Sequence, residues 1–117
     1  MTKRLTFKND AFRKHRGGHS RWLLLKCEKC GNEIAIYQKD GPGILKRLYL
    51  DRMTTLQKLI DRGTSVLICQ RCDTELGVKI NFSKENRLAY RLFAGAIVKE
   101  IIKADVVKNQ YNMESNP

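Results

Sequence analysis

The residues whose type and spacing could do chemistry are the four cysteines, which come as two C-x-x-C pairs: Cys27 and Cys30 in KCEKCG, Cys69 and Cys72 in ICQRCD. One such pair serves dithiol exchange, where the first thiolate attacks, as readily as a metal knuckle, where both coordinate. Two pairs favour the metal. Four thiolates match the closed tetrahedral shell of one structural Zn²⁺ per chain, whereas a redox enzyme needs only one pair. The expected ligands are Cys27, Cys30, Cys69 and Cys72, with a disulfide pair or a redox dithiol as alternatives.

The neighbouring residues suit that chemistry. A knuckle must turn sharply after its second thiol, and Gly31 follows Cys30 while Asp73 follows Cys72, types that tolerate left-handed backbone. Lys26, Lys29 and Arg71 flank the thiolates, and cations there would help keep the sulfurs of a dianionic Zn(Cys)₄ centre deprotonated. His15 and His19 have H-x-x-x-H spacing, so a His₂Cys₂ site with Cys27 and Cys30 is conceivable. It would orphan Cys69 and Cys72 and reverse the usual order of ligands. Whether either histidine joins a metal site stays open.

Elements must carry these knuckles. The apolar run RWLLLKC (21–27) enters the first and NEIAIYQ (32–38) leaves it; TSVLIC (64–69) and ELGVKINF (75–82) repeat the arrangement, with Val78, Ile80 and Phe82 on one face. Two hairpins with zinc at their tips are expected. On these residues the chain resembles the zinc-ribbon group, whose two cysteine knuckles sit on facing hairpins and share one metal. The resemblance covers 21–38 and 64–82, and it implies a ligand role for the four cysteines alone. The 38 residues between Cys30 and Cys69 exceed the ~15–20 common in this class, so a segment is inserted. Within it, YQKDGPGILKRLYLDR also resembles a stretch of small prokaryotic zinc-binding proteins of unknown role, which implies no activity.

The insertion, 39–63, opens on the turn signal DGPG. A strand is expected near 45–51 and a short helix near 55–62, capped by Thr54 or Thr55 and ended by Gly63. From Ser83, read as an N-cap, the segment to 105 has an apolar stripe at helical spacing (Ala89, Phe93, Ala96, Ile97, Ile101, Ala104). The expected fold class is α+β: zinc-ribbon-like antiparallel hairpins with a long C-terminal helix. The domain plan is a flexible basic arm (1–20), a single zinc-stapled domain (21–107) and a polar tail (108–117).

Charge points to partners. The 117 residues hold 23 Lys and Arg against 12 Asp and Glu, a formal charge of +11. Residues 1–26 contribute Lys3, Arg4, Lys8, Arg13, Lys14, Arg16, Arg21 and Lys26 against Asp10 alone. Dense positive charge neutralises phosphates, and the arm reads as a nucleic-acid contact, RNA ahead of DNA. The candidate contacts are Arg13, Lys14, Arg16, Arg21, Lys46, Arg47 and Arg52. Trp22 reads as core at the start of a strand. The alternative function is a protein-interaction module whose 83–105 helix docks on a partner or a second copy.

Other classes are disfavoured. There is no phosphate-binding G-x-x-x-x-G-K-[ST], no H-E-x-x-H and no deaminase-like H-x-E with P-C-x-x-C, and a Cys₄ zinc leaves no open position for substrate. Asp40, Asp51, Asp61 and Asp73 are scattered carboxylates without a nucleophile, base and orienting group. No catalytic set is expected. The longest apolar run, LFAGAIV (92–98), is too short for a bilayer, and the first residues lack a secretion signal. A cytoplasmic protein is expected, in a compartment that keeps thiols reduced.

Overall fold

The computed structural model describes residues 2–3, 5–57, 65–110 and 113–114, the first and last pairs by backbone alone. In chain order the elements are β1 (Thr2–Lys3), α1 (Ala11–His15), β2 (Ser20–Cys27), β3 (Glu33–Asp40), β4 (Arg47–Tyr49), a 3₁₀ turn (Leu50–Arg52) and β5 (Met53–Thr55). There follow β6 (Val66–Ile68), β7 (Glu75–Phe82), β8 (Arg87–Leu92), β9 (Ile97–Ile102), α2 (Ala104–Gln110) and β10 (Met113–Glu114). Two four-stranded antiparallel sheets result, ordered β5-β3-β2-β9 and β4-β8-β7-β6, with β1 and β10 pairing separately.

Each cysteine pair sits on a hairpin, β2–β3 or β6–β7, and each hairpin belongs to a different sheet. The apolar run of β2 is continuous because that sheet is covered on both faces. Leu23, Leu25 and Cys27 point to the core shared with the other sheet, where they meet Leu48, Leu67 and Leu76. Trp22 and Leu24 point the other way, to a second cluster with Ile36 and Val107 of α2, and Phe7 stacks on Trp22 at 4.6 Å. A strand buried on both sides has no reason to alternate.

The insertion supplies an edge strand to each sheet. Gly41 and Gly43 take positive φ, 73° and 110°, so DGPG turns as its composition predicts. β4 then pairs with β8, and after three residues of 3₁₀ turn β5 pairs with β3, so the chain crosses between sheets there. Tyr37 ties the crossover down: its hydroxyl accepts from the Tyr49 N–H at 2.9 Å. The strand expected near 45–51 is β4 followed by the 3₁₀ turn. Of the helix expected near 55–62, Thr54 and Thr55 lie in β5 opposite Ile36 and Ala35, and residues 58–63 lie outside the described residues.

The long C-terminal helix is the main correction, and with it the α+β class gives way to a mostly antiparallel β protein. Residues 83–105 form a turn, two strands and the start of α2, which is seven residues long. Ser83 opens the 83–86 turn, whose Asn86 has φ 49°, and Gly95 with φ 73° breaks the chain again. Between the breaks the segment alternates with period two: Arg87 and Ala89 are buried while Leu88 is 53% exposed. The helical stripe arose because small and apolar residues are dense enough here to satisfy either period. Pairing with β7 and β2, and the β-branched composition of IVKEII, decide for strand.

The segment expected as a basic arm is in contact with the sheets. Asp10 caps α1 by accepting from the Arg13 N–H at 3.1 Å and pairs with Arg52 at 2.5 Å, while Gln38 exchanges hydrogen bonds with the Lys8 backbone at 2.7 and 2.9 Å. Phe12 of α1 lies against Arg87, whose guanidinium is also 3.8 Å from the Tyr49 ring centre.

Candidate functional site

The two knuckles are built alike. In the first, the Gly31 N–H donates to the Cys27 carbonyl at 2.8 Å and the Cys27 N–H to the Asn32 carbonyl at 2.8 Å. In the second, the Asp73 N–H donates to the Cys69 carbonyl at 2.8 Å and the Cys69 N–H to the Thr74 carbonyl at 2.9 Å. Each turn closes through one left-handed residue, Gly31 at φ 76° and Asp73 at φ 60°, the positions the sequence marks for it. Matched turns aim both thiols of each pair the same way.

All four sulfurs lie within 4.8 Å of one another, so Cys27, Cys30, Cys69 and Cys72 could hold a metal ion. The shortest separations run between knuckles, Cys27 to Cys72 at 3.6 Å and Cys30 to Cys69 at 3.5 Å. Four sulfurs about 2.3 Å from one ion at tetrahedral angles stand roughly 3.8 Å apart, so the cluster needs little adjustment to close on a cation. A disulfide sulfur pair stands at about 2.05 Å, and all four cysteines are free. Cys27 and Cys69 are buried, Cys30 is half-buried and Cys72 exposed, so ion exchange has an approach from the Cys72 side.

The thiols differ in acidity. Hydrogen bonds from the Thr74 hydroxyl, 3.0 Å from Cys72 Sγ, and from the Thr74 N–H hold Cys72 down to about 6. Cys30 receives the Asn32 N–H, which favours its thiolate, but desolvation and the neighbouring thiols outweigh it and push Cys30 up to about 12. Four adjacent thiols cannot all ionise unaided, and a divalent cation removes that conflict. A further layer supports the second knuckle. Gln57 donates to the Ile68 carbonyl at 2.9 Å and accepts from the Gln70 N–H at 2.9 Å, and Asn32 Nδ2 reaches Cys69 Sγ at 3.7 Å. Sequence reasoning missed these residues. Asn32 and Thr74 share one offset from their knuckles, a usable signal; Gln57 lies in the insertion and has none.

His15 and His19 are exposed and stand outside the thiol cluster. Lys26 pairs with Glu100 at 3.0 Å, and Lys29 and Arg71 lie exposed on the knuckle turns.

The seven candidate nucleic-acid contacts divide by environment. Lys14, Arg21 and Lys46 are exposed, and Arg47 is half-buried with its guanidinium 4.0 Å over the Phe82 ring. Arg13 Nε donates to Ser20 at 2.8 Å, and Arg16 pairs with Glu85 at 2.8 Å. Arg52 is 4% exposed and bonds Asp40 at 2.8 Å as well as Asp10, so its charge is matched inside the fold. Burial lowers the affinity of Arg52 for its proton, but the hydrogen bonds it donates to both carboxylates outweigh this and raise it. No described helix is long and apolar enough to cross a membrane.

Comparison with protein-family models, curated proteins and solved structures found no match to this chain. The metal-binding reading therefore stands on the thiol cluster itself.

Proposed function

We propose that this protein is a zinc-stapled nucleic-acid-binding module of the cytoplasm. One Zn²⁺ on Cys27, Cys30, Cys69 and Cys72 clamps the sheets, and the basic surface takes up phosphates, RNA ahead of DNA. The observation that supports the zinc is the convergence of four sulfurs within 4.8 Å from hairpins of two different sheets. Thiolates select soft or borderline cations, and a shell completed by protein leaves the ion a structural task. Reduced thiols suit a cytoplasmic setting.

Supporting the second half are the +11 charge and the exposure of Lys14, Arg21 and Lys46. The described helices, of five and seven residues, are short for major-groove reading, which favours RNA or unpaired strands over duplex DNA. The docking-helix alternative loses its element, since 83–105 is largely strand.

The test combines native mass spectrometry with fluorescence anisotropy on single-stranded RNA, single-stranded DNA and duplexes across a salt series. One zinc per chain and an affinity that falls steeply with salt are expected. A folded protein without metal overturns the zinc, and no binding near physiological salt overturns nucleic-acid recognition.

A further inference from the structure

Two open hollows meet on one side of the molecule. The first, about 520 Å³, lies where the 44–47 chain and the β8–β9 corner face β9, and Lys46, Arg47, Arg91 and Lys99 line it. The second, about 350 Å³, is lined by Arg21, Lys39 and again Lys99. The 41–46 chain runs along both. No Asp or Glu is among the described residues that line either hollow. In a chain with 12 acidic residues, six cations around one depression without an acid is a biased arrangement.

The register sharpens the point. Arg21 stands directly opposite Lys39 in one sheet, and Arg47 directly opposite Arg91 in the other. Like charges facing each other across a strand pair destabilise it, and here two such pairs flank one groove. The repulsion is felt. Desolvation first, then Lys99 and Arg21, make the Lys39 ammonium easier to deprotonate than an ordinary lysine. Arg21, Arg91 and Lys99 have no carboxylate partner among the described residues. Apolar side chains stand between these cations: Ile44 is 77% exposed, Ile101 64% and Phe93 41%. A duplex offers such a surface phosphates but keeps its base faces stacked inside, whereas an unpaired strand offers phosphates to the cations and base faces to Phe93 and the isoleucines.

We infer that this groove, running from Arg21 and Lys39 past Lys99 to Arg91 and Phe93, binds single-stranded nucleic acid. The inference rests on the nucleic-acid reading above and specifies its surface and the form of its ligand.

The test uses the full-length zinc-loaded protein, a single-stranded RNA of about twelve nucleotides, within the span typical of such sites, and the same sequence as a duplex. A groove variant carries Arg21→Gln, Arg91→Gln and Lys99→Gln. A control removes three exposed cations elsewhere, Lys79→Gln, Lys84→Gln and Lys108→Gln, for the same change in net charge. The groove variant is expected to lose about ten-fold or more in affinity, and the slope of log affinity against log salt to fall by roughly two, at ~0.7 per lost phosphate contact. The control should lose less than about three-fold. Phe93→Ala should weaken the single strand by about five-fold or more and leave the duplex unchanged. Relief of the facing like charges should leave the groove variant as heat-stable as the parent or more so, with zinc retained.

Binding of the parent that the groove variant keeps, or that the control loses equally, overturns the groove while the broader reading stands. Equal or tighter binding of the duplex overturns the single-strand assignment. Binding only to vesicles containing anionic lipid, with no oligonucleotide bound, overturns both readings.

Discussion

Arg52 shows how a single side chain changes meaning once its surroundings are known. By sequence it is one more cation beside a turn; in the fold its side chain is 1% exposed and meets Asp40, itself 5% exposed, and Asp10. Removing one partner of a buried pair leaves the other charge without compensation, so Arg52→Met should destabilise by about 3 kcal/mol in urea melts, and Asp40→Asn added to it should recover part of the loss. The carboxylates also set the response to acid. The Arg52 hydrogen bond holds Asp10 down to about 2, and Asp40 is lowered because bonds from Ser20, Arg52 and Gln38 outweigh the opposing effect of its burial. A depressed carboxylate stabilises the fold above its unfolded pKa, near 3.9, and that contribution disappears as pH falls through the folded value. Melting temperature should therefore drop between about pH 4 and 2, and less steeply in the double variant, with zinc content followed in parallel. An unchanged slope in the double variant would remove Asp40 from the account.

At the scale of elements, turns and close strand contacts have specific sequence requirements. Gly31 closes the first knuckle at φ 76°, with open space where a Cβ would stand, so Gly31→Ala meets only the backbone penalty of the left-handed region, about 1 kcal/mol. Asp73 occupies the matching place at φ 60°, and Asp73→Gly should be close to neutral. Gly77 is a different case. A Cβ there would lie 2.6 Å from the Arg91 carbonyl oxygen, so Gly77→Ala must push β7 from β8 and should cost about 2 kcal/mol or more. Calorimetry on the three zinc-loaded variants checks the order: Gly77→Ala worst, then Gly31→Ala, then Asp73→Gly. The element misread from sequence, 83–105, fails for a related reason. Its breaks are Asn86 and Gly95, single residues whose left-handed backbone becomes evident only when the strands on either side are paired.

For the molecule as a whole, the sheets are joined by chain crossovers that include 41–46, Leu50–Arg52 and 93–96, by the shared core and by the thiol cluster. A metal ion held by the four thiols would bind the folded arrangement far better than an unfolded chain, so its free energy would add to stability. A strong chelator should lower the melting temperature by ten degrees or more, on the order of the shift that several kcal/mol gives a domain this size, and added Zn²⁺ should restore it. A chelator without effect would show that core and crossovers suffice. The sequence by itself determined the local chemistry: two C-x-x-C knuckles, their hairpins, the left-handed Gly31 and Asp73, the DGPG turn and the excess of positive charge. These are legible because each depends on residues a few positions apart. Tertiary structure alone decided what depends on distant partners: that the hairpins belong to different sheets, that 83–105 pairs as strands, that Arg52 is buried against Asp10 and Asp40, and that Arg21 faces Lys39 while Arg47 faces Arg91. Strand pairing and charge burial are set by contacts across the fold, and a local pattern that satisfies both helical and strand periods leaves that choice to them.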